Sequence, residues 1–494
     1  MRRLALALFL AGCGGRGDLY AEALAPLPLV ATGSAVVQVV PQTRRAVVLT
    51  PGEATPGALV LSTGARLAAR VPGSELVAVL SGSPREPKLE LLDVTTGAVD
   101  TLEAPGFFDT ITWSPDGRFG VLAYASAAPS DQLVARNLNE VGLLSVAGRT
   151  VTRLQLDTES LAPRGVVFGP AEQTRQLVAV LLERGVAVFD ALRPDVAPRR
   201  ISLRPPGSTF ESTVVEAVFA RSGRWLFLRA SNLDDVIVVE LGPEVGAPVS
   251  ASINFVAGGH GLTDIEAPPE ALGDMVLAVF AASRDVWLLD AHGIQDNAKR
   301  LAMTSSARSV SLLSGDRALL WDGQSPLLTA WDLSDGRTGT VELDGAFASP
   351  LVVPALDKAV FPVPAAAGGA ALSTVTVVEE TNRLRLKLQS IQLAKPFTTA
   401  AFDPLTQRLF FTVSSSATVV TMDLRTLQLA EVTLDGAAVA LHYLPAGDWL
   451  VAEHSGNPLG DLTVLPAGTT ERSSARRYRT FAFTDDFDRP GDAP

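Results

Sequence analysis

With 494 residues, 47% of them hydrophobic and 19% charged, the chain can fill one very large core or several ordinary ones, which excludes a largely disordered protein. A formal charge of −12 repels phosphate backbones and argues against nucleic acid as a partner. The single cysteine excludes an internal disulfide and a cysteine metal cluster. Glycine (41) and proline (33) supply many turn positions, and the valines and leucines between them fall in short runs rather than in long stripes of helical period, so the expected fold class is all-β.

The chain opens on Met1-Arg2-Arg3, a positive segment, followed by an apolar run from Leu4 to Leu10 that is too short to span a bilayer. Small residues then lead directly to the cysteine in Leu10-Ala11-Gly12-Cys13. This resembles the bacterial lipoprotein signal, whose lipobox is a leucine, two small residues and a cysteine. The resemblance implies a signal peptide over residues 1–12, cleavage before Cys13, and acylation of Cys13 at its sulfur and at the new amino terminus. The competing reading is an ordinary secretory signal with an incidental cysteine. Gly14 rather than aspartate after the cysteine is similar to the enteric sorting pattern for the outer membrane. Residues 13–32, rich in glycine, alanine and proline, read as a flexible tether.

From residue 33 to about 482, apolar strands recur at short intervals. The first are Ala35 to Val40, Ala46 to Thr50, Ala58 to Leu61, Leu76 to Leu80 and Leu89 to Val94. Ser81-Gly82-Ser83 reads as a loop. In Ile111-Thr112-Trp113-Ser114-Pro115-Asp116-Gly117 proline presets a turn and glycine takes its positive-φ position, so the strand ending at Trp113 should pair with the one through Val121. Variants of this hairpin recur around Arg221-Ser222-Gly223 and Asp403-Pro404-Leu405. Later units show paired apolar runs, for example Leu177 to Leu182 with Val186 to Phe189, and Leu409 to Val413 with Val419 to Leu424. The alanine/glycine tract Ala365 to Ala371 reads as another loop, and residues 483–494 as a disordered acidic tail. The unit spacing of roughly 40 to 55 residues is that of a four-stranded propeller blade, with about 7 to 10 units. The first two units lie close together, which suggests a partial blade closed by a strand from the other terminus.

Several third strands end in an aspartate and a turn, as in Leu92-Asp93-Val94-Thr95-Thr96-Gly97, Trp331-Asp332-Leu333-Ser334-Asp335-Gly336 and Met422-Asp423-Leu424-Arg425-Thr426. Together with the Ser-Pro-Asp-Gly turn this resembles the WD-repeat, TolB-type and YVTN-type β-propellers, and implies that architecture for residues 33–482. The six tryptophans fall on different strands of their units, as packing between blades requires.

Little in the chain announces chemistry. No nucleophile elbow, phosphate loop or dinucleotide fingerprint is present, and the four histidines lie apart from one another; no catalytic residue, metal or cofactor is assigned. The most suggestive segment is Gly258-Gly259-His260-Gly261-Leu262-Thr263-Asp264-Ile265-Glu266. On a regular strand His260, Asp264 and Glu266 would share one face and line a channel, where a cation or an acid/base pair could sit. A polar inner strand beside water is the plainer alternative. The basic residues Arg472, Arg476, Arg477 and Arg479 read as surface charge screened by the acidic tail, with a recruitment patch as the alternative. The expected protein is thus a lipid-anchored envelope propeller that binds a protein or cell-wall partner. The rival reading is a propeller enzyme of the lactonase or quinoprotein kind, with its site at the channel mouth.

Overall fold

A computed structural model describes residues 24–479, apart from 54, 125–136, 157–162, 173, 243–250, 293–297, 314–315, 367–368 and 455–459. The expected signal peptide over 1–12, the tether residues 13–23 and the acidic tail 483–494 lie outside the described residues. The strands assemble into ten four-stranded antiparallel sheets, each built from four consecutive strands, and the described helix is confined to three-residue 3-10 turns. The fold class is therefore an all-β propeller with ten blades, numbered 1 to 10 in chain order. Among the described residues no sheet borrows a strand from the opposite terminus, and the first blade has four strands of its own, which corrects the expectation of a partial, strand-closed first blade.

Two compact units divide the chain. The first takes residues 1–104 and 436–494 and holds blades 1, 2 and 10; the second takes residues 105–435 and holds blades 3 to 9. In the first unit, blade 1 is covered on both faces. Val36, Val47 and Leu49 pack with Leu444, Val451, Leu462 and Val464 of blade 10. Val37, Val39, Ala46 and Val48 pack with Val77, Val79 and Leu92 of blade 2. Alternate residues of one strand thus serve two interfaces, which is why both faces must be apolar. In the second unit the same arrangement repeats from blade 3 to blade 9, each blade sharing a core cluster with the next.

Burial explains which strands announce themselves. Second strands such as Leu177–Leu181 and Phe119–Ala123 are buried along their whole length and read as continuous apolar runs. First and fourth strands such as Leu67–Arg70, Arg199–Ile201 and Lys299–Ala302 are less completely buried and carry mixed residues. The first strand of blade 1, Val30–Ala31, lies inside the stretch expected to be tether. The backbone N–H of Leu27 already donates to the carbonyl of Val39, so the blade takes in residues 27–32. The tracts at Ser81-Gly82 and around Ala366 and Gly369, expected as loops, instead extend the strands Leu76–Gly82, Lys358–Ala366 and Gly369–Glu379.

The turns form as their residues require. Trp113 pairs with Gly120 and Thr112 with Val121 across the Ser-Pro-Asp-Gly turn. Gly117 has φ +69° and its N–H donates to the Ser114 carbonyl at 2.9 Å. The buried Ser114 hydroxyl accepts from the Phe119 N–H at 3.0 Å and donates to Asp116 Oδ1 at 2.8 Å. The terminal aspartates of the third strands close the next turn. Asp93, Asp332 and Asp423 each accept backbone N–H groups two and three residues on, at 2.8 to 3.3 Å.

Candidate functional site

The first strands of neighbouring blades run beside one another in the second unit: Gly165–Phe168 of blade 4 beside Val214–Phe219 of blade 5, then Leu262–Glu266 of blade 6, then Ser309–Leu312 of blade 7. Two of these strands carry a bulge. In blade 5 Val214 pairs with Ala230 but Glu216 with Arg229; in blade 6 Leu262 pairs with Phe280 but Asp264 with Val279. Each bulge inserts one residue, Val215 or Thr263, and reverses the alternation beyond it. Val214, Ala217 and Phe219 therefore share one core, and Leu262 and Ile265 share another, while Glu216, Asp264 and Glu266 point away from those cores and are half-buried.

Asp264 and Glu266 thus stand on one face, as the sequence suggests, and Glu216 of blade 5 joins them. Asp264 Oδ2 accepts the Val310 N–H of blade 7 at 2.8 Å. Burial pushes the Asp264 carboxyl up to about 7, aided by repulsion from Glu216, a hydrogen bond to Glu216 that favours the protonated form, and repulsion from Glu266. Glu216 is itself held by Arg229 Nε at 2.7 Å. Burial also raises the Glu266 carboxyl, opposed by the Ala267 N–H and by the charge of Arg221. Beside these groups, at the ends of the first strands, lies a cavity of about 230 Å³. Its walls include Pro115, Val167, Phe168 and Phe219, and Glu266 and Arg221 are its charged lining residues.

His260 is not part of this group, which corrects the expectation of three residues on one face. It precedes the bulge, and Gly261 at φ +72° turns the chain before the strand begins. The imidazole is 84% exposed and its Nδ1 lies 3.2 Å from Asp234 Oδ2, while the Gly261 N–H donates to Asp234 Oδ1 at 2.9 Å. The glycines before it permit a close approach: a Cβ at Gly258 would stand 2.3 Å from the Phe280 ring. Among the described residues no cluster of His, Cys, Asp or Glu is arranged to hold a metal ion. The arginines near the carboxyl end are engaged locally, Arg477 with Asp461 at 2.8 Å and Arg476 with the Glu53 carbonyl at 3.1 Å. Cys13 lies outside the described residues.

Sequence reasoning missed Glu216, Arg221 and Arg229. A signal was present: Glu216 in Val-Val-Glu-Ala-Val-Phe is an acid inside an otherwise apolar first strand, shortly before the turn, as Asp264 and Glu266 are in the next blade.

The fold and this inner-strand site define the class, an all-β propeller of four-stranded blades. No protein-family model matches the chain, and no curated protein matches its sequence. Solved structures resemble it in fold. A eukaryotic initiation factor aligns with a TM-score of 0.46 at 10% identity, covering 75% of this chain and 89% of that one. The dihydro-heme d1 dehydrogenase NirN, solved in complex with DHE, aligns with a TM-score of 0.45 at 12% identity, covering 75% of each chain. The Cps50 (Swd1) β-propeller domain of Myceliophteria thermophila aligns with a TM-score of 0.31 at 10% identity, covering 80% and 97%.

Proposed function

We propose that the protein is a lipid-anchored binding module of the bacterial envelope, and that its inner-strand pocket receives an ammonium-bearing side chain of a protein or cell-wall peptide partner. The observation that carries the binding reading is Glu266, a half-buried carboxylate set in the wall of a largely apolar cavity. Burial penalises its charge, and an entering cation removes that penalty while the aliphatic stem of the ligand covers Phe168 and Phe219. Arg221, exposed at the rim, supplies the neutralising charge until the ligand replaces it. The anchor rests on the lipobox residues Leu10-Ala11-Gly12-Cys13, and two or three acyl chains would give a durable attachment where one gives a marginal one.

The binding reading is tested by thermal denaturation with tri-lysine and with its fully acetylated form. Tri-lysine should stabilise the parent, stabilise Glu266→Gln much less, and lose its effect on acetylation; equal shifts for both proteins would reject the pocket. For the anchor, Cys13→Ser should abolish lipid labelling and shift the protein out of the outer-membrane fraction. An unchanged distribution of that variant would make the anchor dispensable.

One observation favours a second reading. A carboxyl that titrates near neutrality beside another carboxyl is suited to general acid–base chemistry, so the Glu216–Asp264 pair would be the centre of a propeller enzyme of the lactonase type. Turnover of a lactone by the parent, abolished in Asp264→Asn, would select it over the binding module.

A further inference from the structure

A second cavity of the same unit, about 510 Å³, lies at the opposite end of the first strand of blade 5 from the carboxylate pocket. It is lined by Arg184, Arg200 and Arg204 with Glu183, Glu211 and Phe210. Phe210 is 75% exposed, on the loop between Arg199–Ile201 and Val214–Phe219. That loop is built. The Ser208 N–H donates to the Pro205 carbonyl at 3.0 Å across Pro206-Gly207, with Gly207 at φ +76°. The Phe210 N–H donates to Ser208 Oγ at 3.0 Å, and the Ser212 N–H to the carbonyl of the fully buried Leu203 at 3.2 Å. An aromatic side chain is therefore held out into solvent by a fixed backbone, although the same ring would gain by burial.

The charges around it are unevenly matched. Glu211 is taken up by Arg200 at 3.0 Å and by the Ser202 hydroxyl at 2.5 Å. Arg184 and Arg204 are exposed and make no carboxylate pair among the described residues, leaving two guanidinium groups against the single carboxylate of Glu183. On a chain of net charge −12 this is a local reversal of sign beside an exposed aromatic ring. Guanidinium groups recognise phosphate oxygens in pairs, and an exposed phenylalanine buries its ring at the headgroup/acyl boundary of a bilayer. We infer that the Phe210 loop and the arginines Arg184 and Arg204 form a contact for an anionic phospholipid surface, with the ring entering the interface and the guanidinium groups on headgroup phosphates. The contact depends on neither Cys13 nor the carboxylate pocket, and it would fix which end of blade 5 faces the bilayer.

The test is co-sedimentation of the full chain carrying Cys13→Ser, which removes acyl chains, with phosphatidylcholine vesicles and with vesicles holding about 30 mol% phosphatidylglycerol. The amino-terminal apolar segment is common to all variants, so the result lies in the differences among them. The parent should prefer the anionic vesicles and lose that preference as salt rises. Arg184→Ala with Arg204→Ala should weaken binding about 25-fold, at roughly fivefold for each arginine. Phe210→Ala should weaken it further, whereas Phe210→Trp should retain binding and gain fluorescence quenching by brominated lipid. Unfolding transitions equal to the parent's would show that these exposed substitutions leave the fold intact. Equal affinity for neutral and anionic vesicles overturns the proposal, as does indifference to all three substitutions. Abolition of vesicle binding by millimolar inorganic phosphate would also overturn it, in favour of a site for a free anion.

Discussion

Burial and two neighbouring carboxylates hold a proton on Asp264 up to about pH 7, whereas the same group in the unfolded chain titrates near 3.8. The folded state therefore binds this proton more tightly. The stabilisation it brings is complete below about pH 4 and is lost as pH rises through 7. Asp264→Asn keeps an acceptor for the Val310 N–H and removes the titration. It should be more stable than the parent at pH 8, by about 1–3 kcal/mol, and indistinguishable near pH 4 in denaturant titrations. Parallel stability curves over that range would contradict the assignment. Asp403 has the opposite sign. Burial alone would raise its carboxyl, but hydrogen bonds from Thr406, Arg408 and the backbone hold it below the usual range, so its contribution is present above the unfolded value and lost as pH falls. Its side chain is fully buried and paired with Arg408 at 2.9 Å, so Arg408→Ala should cost about 2 kcal/mol at neutral pH by leaving that charge short of a donor. Urea midpoints at pH 7 and pH 3 would show the penalty shrinking in acid.

Among the elements, hairpin turns and bulges divide into what local chemistry dictates and what it does not. At Gly117 the left-handed conformation is supplied by glycine, and Asp116 and Ser114 complete the turn, so the hairpin is legible in the run from Ile111 to Val121. Arg284 holds the same kind of conformation, φ +56°, with a side chain that disfavours it. Gly117→Ala should destabilise by about 1 kcal/mol and Arg284→Gly should stabilise by about 0.5–1 kcal/mol, measured by thermal unfolding. The bulges at Val215 and Thr263 have no such local signature. They arise because Leu262 and Ile265 must both reach one core while the acids between and after them remain outside it, which an even alternation cannot deliver. Deleting Thr263 would leave Leu262 and Ile265 two positions apart on a regular strand, both still facing their core and with Asp264 and Glu266 still on the other face, so it should cost no more than about 1 kcal/mol in thermal unfolding. A loss of several kcal/mol in the deletion variant would show that the bulge itself, and not only the placement of Leu262 and Ile265, carries packing.

For the molecule as a whole, the packing in the first unit brings blades from the two ends of the described chain into one core. Leu49 of blade 1 and Leu444 of blade 10 are fully buried against the same cluster. Leu49→Ala and Leu444→Ala should each cost about 2–5 kcal/mol, and the double variant should depart from additivity by 0.5 kcal/mol or more, because both open the same interface. Strict additivity would place the two residues in independent cores. The sequence by itself determined the all-β class, the second and third strand of each blade, the turns and the near-neighbour placement of Asp264 and Glu266. These are set by strand runs buried on both faces, by glycine and proline geometry, and by spacing along one strand. Only the tertiary structure decided that Glu216 and Arg229 of the neighbouring blade complete the carboxylate group, and that His260 stands apart from it. It alone decided that Val30–Ala31 is a strand rather than tether, and that Phe210 rises between arginines from two parts of blade 4 and its exit loop. The first two outcomes depend on which blade faces which and on register shifts of one residue, and the last two on pairing and loop contacts with neighbouring strands, none of which is written in the residues of a single strand.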